Sequence, residues 1–489
     1  MSEGHVSKEL RRATLSGARW TALSRFLAEM LAFVSTVVLA RLVPPAEFGY
    51  AAVALIVVAL SAIIGTAGVS APLVQRPEVT DRLIAAVTVI GLVLGMVLTA
   101  ATVAVSELVI GRVFGDRATD LVLLASPAWI FAAIGSSSGA ILQRELRFGV
   151  LAVIEVVSVL GGSALAVGLA IAGLDGEAVV AGGLGLVCFM GVLWFAAAPI
   201  RSLRTDRAAL RDAFAFALPV GMSSLVYVGF RNVDYAVLGA RATAAQLGYY
   251  WRAYQLGVGY QSKISRVMLR VSFPVYSRAV GMEELRAVRT RIVRGHAAVL
   301  IPLLAVFIAV APVLIPWLFG PAWEPSVRPA QILAVAGMAD AVVTGGGPLM
   351  IAVGQPGHLL RFNLALFVSY GAMIYVLAPY GIETVAIGVA VFGVVTVLAV
   401  QAVLLGPAIG LSFRQLWFDT RAGLAVGAAL LLVAGGLRRG LVTLELDPFF
   451  VLLIVSAAAS GLYLLLLRSF FGAEWDDLRS VVTRSRGQD

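Results

Sequence analysis

Four cationic side chains recur with helical spacing inside a segment, 251–272, that otherwise predicts a transmembrane helix. We call them the cationic stripe: Arg252, Lys263, Arg266 and Arg270. At about 100° per residue, all four fall within about 60° of arc on one helix face. At about 1.5 Å rise per residue they extend over about 27 Å, which is close to the thickness of a bilayer's hydrocarbon core.

A charge that faces lipid at the centre of a helix costs roughly 2.5–3.5 kcal/mol. The stripe is therefore predicted to face a wet, polar and anionic environment. Alternatively, Arg252 and Arg270 reach the two interfaces while acidic neighbours neutralise the middle two cations. That alternative fits Lys263 and Arg266 less well, because 247–275 contains no acidic residue.

Other polar side chains near the stripe have two readings. Tyr249 and Tyr260 flank it and offer hydroxyl and aromatic contacts suited to sugars. In the preceding apolar run, Arg231 and Asp234 are three residues apart, a spacing that favours a local ion pair. A functional alternative has Arg231 contact an anionic head group.

Four further charges lie inside apolar runs. Arg25 and Glu29 are four residues apart and are predicted to neutralise one another. Glu155 and Asp340 are lone acids. Each is predicted to be either a counter-ion for the stripe or a carboxylate that couples transport to protons or sodium ions. Asp340 is the stronger candidate, because Glu155 lies near the end of its run.

Composition places the chain in the membrane. It has 489 residues, of which 60% are hydrophobic and 13% charged, and its mean hydropathy is +0.94. These values predict an all-α polytopic membrane protein. Although the net charge is +9, the cations lie in short connections, so nucleic-acid binding is not expected.

The sequence lacks the residues of the common cofactor sites. Cys188 is the single cysteine, and the three histidines are His5, His296 and His358. Without clustered ligands we expect no metal site, and without a GxxxxGK[ST] motif we expect no ATP hydrolysis by that route. No cofactor is expected beyond a coupling proton or sodium ion.

Apolar runs predict about 14 transmembrane helices. They lie near 17–41, 47–73, 83–106, 118–140, 150–173, 177–199, 212–240, 246–275, 297–319, 327–353, 360–379, 382–409, 420–437 and 449–468. The thirteenth is predicted to end at the Gly-Gly pair 435–436, and Gly345–Gly347 with Pro348 to break the tenth. One set of connections, including 276–296 and 410–421, carries about 24 Lys and Arg against about 7 in the other. Both termini are therefore predicted to be cytoplasmic.

A repeated segment predicts two similar halves. Residues 38–50, VLARLVPPAEFGY, resemble 237–249, VLGARATAAQLGY, with Glu47 aligned to Gln246 and Gly49 to Gly248. Because six predicted helices separate the copies, the repeat is a parallel one. The predicted organisation is an N-tail (1–16), an N-lobe of six helices (17–200), a linker (201–211), a C-lobe of six helices (212–409), two further helices (410–468) and a C-tail (469–489).

The chain resembles a known family in several segments along its whole length. These are GARWTALSRFLAEMLAFVSTVVLARLVPPAEFGYAAVAL near the N-terminus, APLVQRPEVT (71–80), LQRELRF (142–148), RNVDYAVLGARATAAQLGYYWRAYQL (231–256) and FPVYSR (273–278). They are similar to the polysaccharide transporter family of the multidrug/oligosaccharidyl-lipid/polysaccharide flippase superfamily, in particular to its Wzx-type and colanic acid exporter-like lipopolysaccharide flippases.

The resemblance implies two pseudo-symmetric lobes around a central cavity that opens alternately to each side of a bacterial inner membrane. It also implies a substrate, an undecaprenyl-pyrophosphate-linked oligosaccharide repeat unit. The stripe would bind the pyrophosphate or acidic sugars, Tyr249 and Tyr260 would line the sugar path, and Arg25 would contribute from the facing lobe. Membrane lipids, a polysaccharide polymerase and glycosyltransferases are the implied partners, and we expect a monomer.

Three alternatives remain. A multidrug antiporter of the same superfamily would carry cationic drugs and favour acidic cavities, whereas the intramembrane balance here is basic. A lipid II flippase would share the cationic chemistry. A membrane glycosyltransferase or polymerase would need a large extracytoplasmic loop, and the longest predicted connection, 276–296, is cytoplasmic.

Overall fold

The computed structural model describes residues 24–76, 78–265, 276, 281–472 and 474–475. Side chains are described throughout these ranges except at 66–68, 220, 223–228, 230, 231 and 356. The described residues form helices and no strand. Eleven helices within them are long and apolar enough to span a membrane. The predicted all-α polytopic class is confirmed, while the number fourteen stays a prediction.

Contacts divide the chain into two units, Met1–Gly248 and Tyr249–Asp489. The first unit contains α1 (24–42), α2 (Pro45–Ile63), α3 (Asp81–Val105), α4 (Asp116–Arg144), α5 (Phe148–Ile171), α6 (Gly176–Ala197) and α7 (Arg207–Gly239). In it, α6 packs against α4 and α5, and α7 packs against α2 and α3. The lobe and linker boundaries inferred from the repeat stay predictions.

Helix α8 begins at Ala244 and continues into the second unit. It runs as an α-helix over Ala244–Tyr254, makes a π-helical turn over Gln255–Gly259 and is described to residue 265. The second unit further contains α9 (Met282–Phe319), α10 (Val327–Val343), α11 (Pro356–Leu377), α12 (Ile382–Ala399), α13 (Phe413–Thr443) and α14 (Pro448–Phe470). There α9 packs against α10 and α13, α10 against α8 and α12, and α13 against α14.

Capping side chains set several helix starts that hydropathy places too late. Asp206 accepts a hydrogen bond from the backbone N–H of Ala209 at 2.8 Å, so α7 starts at Arg207 and not at 212. Ser412 accepts one from Gln415 at 3.2 Å, so α13 starts at Phe413 and not at 420. Both caps satisfy amides that the first helical turn leaves unpaired. The polar first turns thus belong to the helices.

The predicted end of α13 at 435–436 is wrong, because the helix continues through both glycines to Thr443. A helical glycine costs about 1 kcal/mol relative to alanine. Packing offsets this cost, since Leu431, Leu437 and Leu441 contact an apolar cluster shared with α9 and α14. The predicted break in α10 is confirmed: α10 ends at Val343, Gly345 has a left-handed φ of 97°, and a short helix follows over Gly346–Ala352.

The two copies of the repeated segment cross each other within the first unit. A Cβ at Gly49 would lie 1.8 Å from the carbonyl oxygen of Ala244, and a Cβ at Gly248 would lie 2.0 Å from that of Pro45. The alignment that equates Gly49 with Gly248 also equates Pro45 with Ala244. The two contacts are therefore equivalent: in each, the glycine of one copy packs against the backbone of the other. This equivalence explains why both copies have a glycine at that position.

A buried ion pair joins α9 to α13. Arg289 Nη1 lies 2.7 Å from Asp419 Oδ2, and both side chains are almost fully buried. Gln415 Nε2 donates to the other carboxylate oxygen at 2.9 Å. Removing two charges from water is costly, and the cost is offset only when the two groups pair closely and are hydrogen-bonded.

We expect Asp419→Asn to destabilise the protein by about 3–5 kcal/mol, because it leaves the Arg289 charge buried without its counter-ion. Thermal unfolding of the full chain in detergent measures the effect. Glu383→Gln is the matched control. It removes an acid from the exposed pair with Arg328, 3.9 Å apart, and should cost at most about 1 kcal/mol. Equal effects of the two changes would contradict the assignment.

Candidate functional site

The site that the stripe predicts lies on α8, which the structure describes as far as residue 265. It therefore includes Arg252 and Lys263 with the flanking Tyr249 and Tyr260. Arg266 and Arg270 lie outside the described residues. A π-helical turn over Gln255–Gly259 separates the two described cations. Such turns shift the helix face and are frequent at functional sites.

Helices α8 and α10 approach each other closely at two glycines. A Cβ at Gly257 would lie 2.8 Å from the backbone nitrogen of Ala334, and one at Gly337 would lie 2.2 Å from the carbonyl oxygen of Gly257. Neither position has room for a side chain. This crossing brings together the polar residues that follow on both helices.

A polar cluster lies next to the crossing and consists of Gln261, Ser262, Ser265 and Asp340. Ser262 Oγ lies 3.3 Å from Asp340 Oδ2 and also 3.3 Å from Gln261 Oε1. Gln261 Nε2 donates to Ser265 Oγ at 2.8 Å. The three α8 residues of the cluster are buried, and Asp340 is half-buried. The structure thus gives the lone acid of α10 hydrogen-bonding partners on α8.

Lys263 follows the cluster directly in sequence. Its side chain is half-buried, and Nζ lies 5.1 Å from the centroid of the Tyr260 ring. The face of an aromatic ring attracts a cation and can partly replace its water. Lys263 and Tyr260 therefore form one cationic and aromatic contact point in the middle of the predicted span.

Arg252 lies in a different environment, which we call the aromatic box. Its guanidinium carbon is 5.1, 4.6 and 4.8 Å from the ring centroids of Trp251, Phe319 and Trp323, and the residue is only 1% exposed. Tyr249 packs edge-on against Trp323 at 6.2 Å. In this conformation the guanidinium faces rings and not a water-filled surface, which favours a structural role for Arg252 and Tyr249.

In the first unit, Glu155 lies close to Arg25. Arg25 Nε lies 3.9 Å from Glu155 Oε1, and Ser24 Oγ donates to Glu155 Oε2 at 3.4 Å. Glu29 is exposed on the same helix. One of the two acids predicted as counter-ions for the stripe thus lies within ion-pair distance of Arg25, and the predicted pair of Arg25 with Glu29 stays a prediction.

Asp234, on α7, is fully buried, and its Oδ1 accepts a hydrogen bond from the backbone N–H of Tyr235 at 3.0 Å. The side chain of Arg231 lies outside the described residues. The predicted Arg231–Asp234 ion pair stays a prediction.

Comparison with known protein families shows to which family the chain belongs. Residues 38–328 match the family model described as polysaccharide biosynthesis protein. The chain belongs to that family. The resemblance seen in the sequence is thereby confirmed.

Two named relatives align with most of the chain. The lipopolysaccharide biosynthesis protein WzxC of Escherichia coli K12 is 25% identical over 422 residues, which are 83% of this chain and 84% of the relative. The teichuronic acid biosynthesis protein TuaB of Bacillus subtilis 168 is 25% identical over 467 residues, 94% of this chain and 96% of the relative.

Two solved structures share the fold. The lipid II flippase MurJ aligns with a TM-score of 0.72 at 14% identity, covering 92% of this chain and 98% of MurJ. A multidrug resistance MATE family transporter of the MOP superfamily aligns with a TM-score of 0.59 at 15% identity, covering 82% and 95%. At these identities the likeness shows the fold alone.

The family member also contains an ion cluster that sequence analysis missed. Arg117 Nη2 donates to Glu47 Oε2 at 2.8 Å and to Glu177 Oε2 at 2.7 Å. The backbone N–H of Gly176 donates to Glu47 Oε2 at 3.1 Å. The cluster joins α2, α4 and α6. Glu47 falls in the repeated segment, but Arg117, which binds it, and Glu177, the second acid bound by Arg117, lie in other elements, so the repeat offers no signal for them.

We expect Gly257→Ala to destabilise the polysaccharide biosynthesis protein, because the new Cβ would force α8 and α10 apart by several tenths of an ångström. The polar cluster would then separate. Thermal unfolding in detergent should show a lower melting temperature. Gly295→Ala is the matched control: a Cβ there meets nothing within 4 Å, and alanine should be neutral or stabilising in the helix. Unchanged stability of Gly257→Ala would refute the close crossing.

Proposed function

We propose that this chain is a flippase that moves a lipid-linked oligosaccharide repeat unit, carried on undecaprenyl pyrophosphate, from the cytoplasmic to the outer leaflet by alternating access. Lys263 carries the proposal: a half-buried cation over the Tyr260 ring, in mid-span, in a member of the polysaccharide biosynthesis protein family. Relatives named for lipopolysaccharide and teichuronic acid biosynthesis support the substrate class.

The chemistry of the substrate fits this site. A pyrophosphate carries negative charge that must cross the hydrocarbon beside its own lipid tail, and that charge needs a cation in place of water. Lys263 would contact the pyrophosphate and Tyr260 the sugars. Arg266 and Arg270 keep the same role as a proposal from the sequence. The enclosed position of Arg252 supports a different role, which is to fix α8 against the aromatic box.

Asp340 is proposed as the group that couples transport to a proton or sodium gradient. Its hydrogen-bond distance to Ser262, the residue before Lys263, supports this assignment. A proton or cation taken up at Asp340 would alter the hydrogen bonds of the residue next to the proposed head-group contact. The pairing of Glu155 with Arg25 favours Asp340 over Glu155 for this role.

The proposal places the chain in a bacterial cytoplasmic membrane, with both termini in the cytoplasm, as a transporter and not an enzyme. A lipid II flippase is the second candidate, favoured by the TM-score of 0.72 with MurJ. Expression of the chain in cells depleted of their lipid II flippase separates the two. Rescue of growth would favour lipid II, and absence of rescue with intact polymer export would favour the repeat unit.

We expect Lys263→Gln to reduce polymer export about tenfold or more, because one charge-assisted contact to the pyrophosphate is worth roughly 1.5–3 kcal/mol. Lipid-linked sugar should accumulate in the cytoplasmic leaflet of a deletion strain that expresses the variant. Lys263→Arg keeps the charge and should keep most export. Arg328→Gln, at an exposed cation, is the control outside the site. Normal export by Lys263→Gln at normal protein level would refute the assignment.

We expect Asp340→Asn to abolish the dependence of flipping on the proton or sodium gradient, because asparagine keeps the shape and the hydrogen bonding but not the charge. Transport in vesicles with each gradient imposed or dissipated measures this. Glu155→Gln should keep the dependence of the wild type. Wild-type flipping that ignores both gradients would remove the coupling role.

A further inference from the structure

A polar cavity lies between α9 and α13 in the second unit, well separated in sequence from the stripe. It is open to solvent on one side and has a volume of about 410 Å³. Its polar lining comprises Arg286, Thr290, Ser412 and Gln415. We call it the α9–α13 cavity. Among the residues that the structure describes, the lining includes one formal charge, the guanidinium of Arg286.

The rim of the cavity is held in place by hydrogen bonds to backbone carbonyls. Gln401 Nε2 donates to the carbonyl oxygens of Leu411 and Ser412 at 2.7 and 3.2 Å, and Arg286 Nε donates to that of Ile409. Gly410, between Ile409 and Leu411, has a left-handed φ of 65°. A Cβ there would lie 2.7 Å from Arg286 Nη2, so glycine leaves room for the guanidinium. The rim is preformed.

The electrostatics favour an anion. The contact of Arg286 with Ile409 is to an uncharged carbonyl and leaves the positive charge in place. The buried acid nearby, Asp419, is already bound by Arg289 at 2.7 Å and by Gln415 at 2.9 Å. Glu283 and Glu284, on the first turn of α9, are exposed and do not line the cavity. Thr290 and Ser412 add hydroxyl groups to the lining. Together these groups match the oxygens of a phosphate ester.

The surface beside the cavity is typical of a membrane interface. Phe413 and Trp417, on the first turns of α13, are 50% and 59% exposed. Arg414 and Arg421 lie over the face of the Phe418 ring at 5.5 and 4.6 Å. Aromatic residues with nearby cations concentrate where head groups meet acyl chains. The connections 276–296 and 410–421 are predicted to be cytoplasmic, the side where anionic lipids concentrate.

We propose that the α9–α13 cavity binds the phosphate of an anionic phospholipid from the surrounding membrane. Arg286 contacts the phosphate oxygens, Ser412 donates a hydrogen bond to the head group, and the acyl chains lie along Phe413 and Trp417. The lipid bridges α9 and α13 from the outside, next to their buried ion pair. This site is independent of the proposed flippase activity.

The test uses the purified full-length protein in mild detergent, with phosphatidylglycerol or phosphatidylcholine added at equal amounts. We expect phosphatidylglycerol to raise the melting temperature more, and native mass spectrometry to detect it bound. Arg286→Gln should weaken phosphatidylglycerol binding about tenfold, and Arg286→Lys should weaken it less. Arg328→Gln removes an exposed cation far in sequence from the cavity lining and should leave binding close to that of the wild type.

Three results would overturn the proposal. They are equal stabilisation by the two lipids, unchanged phosphatidylglycerol binding in Arg286→Gln, and equal protection by inorganic phosphate alone, which would make the ligand a soluble anion. If Arg286→Gln fails to fold, the comparison of the two lipids and phosphate on the wild type still decides. Loss of flipping by itself does not bear on this site.

Discussion

The hydrocarbon core of the membrane offers no water to a charge, so the protein itself must compensate each charge that its helices place there. The described part of the chain shows different solutions. Arg252, in a predicted span, has three aromatic rings, and Lys263 has one. Arg289, in the predicted cytoplasmic segment 276–296, has a buried carboxylate at 2.7 Å. Arg252 and Arg289 are enclosed in this conformation. Lys263 is only half-buried, and this difference makes it the better candidate for contact with a moving anion.

Close contacts between helix backbones at glycines set the positions of the polar side chains. At Gly257 and Gly337, α8 and α10 are so close that a Cβ on either glycine would clash with the backbone of the other helix. The distance between Ser262 and Asp340 depends on that crossing, because both residues follow it along their helices. Gly49 and Gly248 do the same for the two copies of the repeated segment. The glycines of the α8–α10 crossing thus determine which polar side chains meet beside it.

Hydropathy predicted the membrane class and most helices, because long apolar runs have few other stable structures in lipid. Helix ends were less predictable: Asp206 and Ser412 start their helices several residues before the apolar runs, and α13 passes through 435–436. The partners of the charges could not be predicted. Spacing offered Glu29 as a partner of Arg25 but gave no sign that Glu155, on another helix, lies 3.9 Å from it. Likewise, no local pattern connects Arg252 to Trp323.

The proposed coupling site and the proposed head-group contact involve two consecutive residues, Ser262 and Lys263. Ser262 lies 3.3 Å from Asp340, and Lys263 is the next residue of α8. Because α8 and α10 are in close contact at the glycine crossing, we expect a charge change at Asp340 to rearrange the hydrogen bonds among Gln261, Ser262 and Ser265. That rearrangement occurs beside the cation proposed to contact the pyrophosphate, so an ion at Asp340 can alter the affinity at Lys263 without a longer relay.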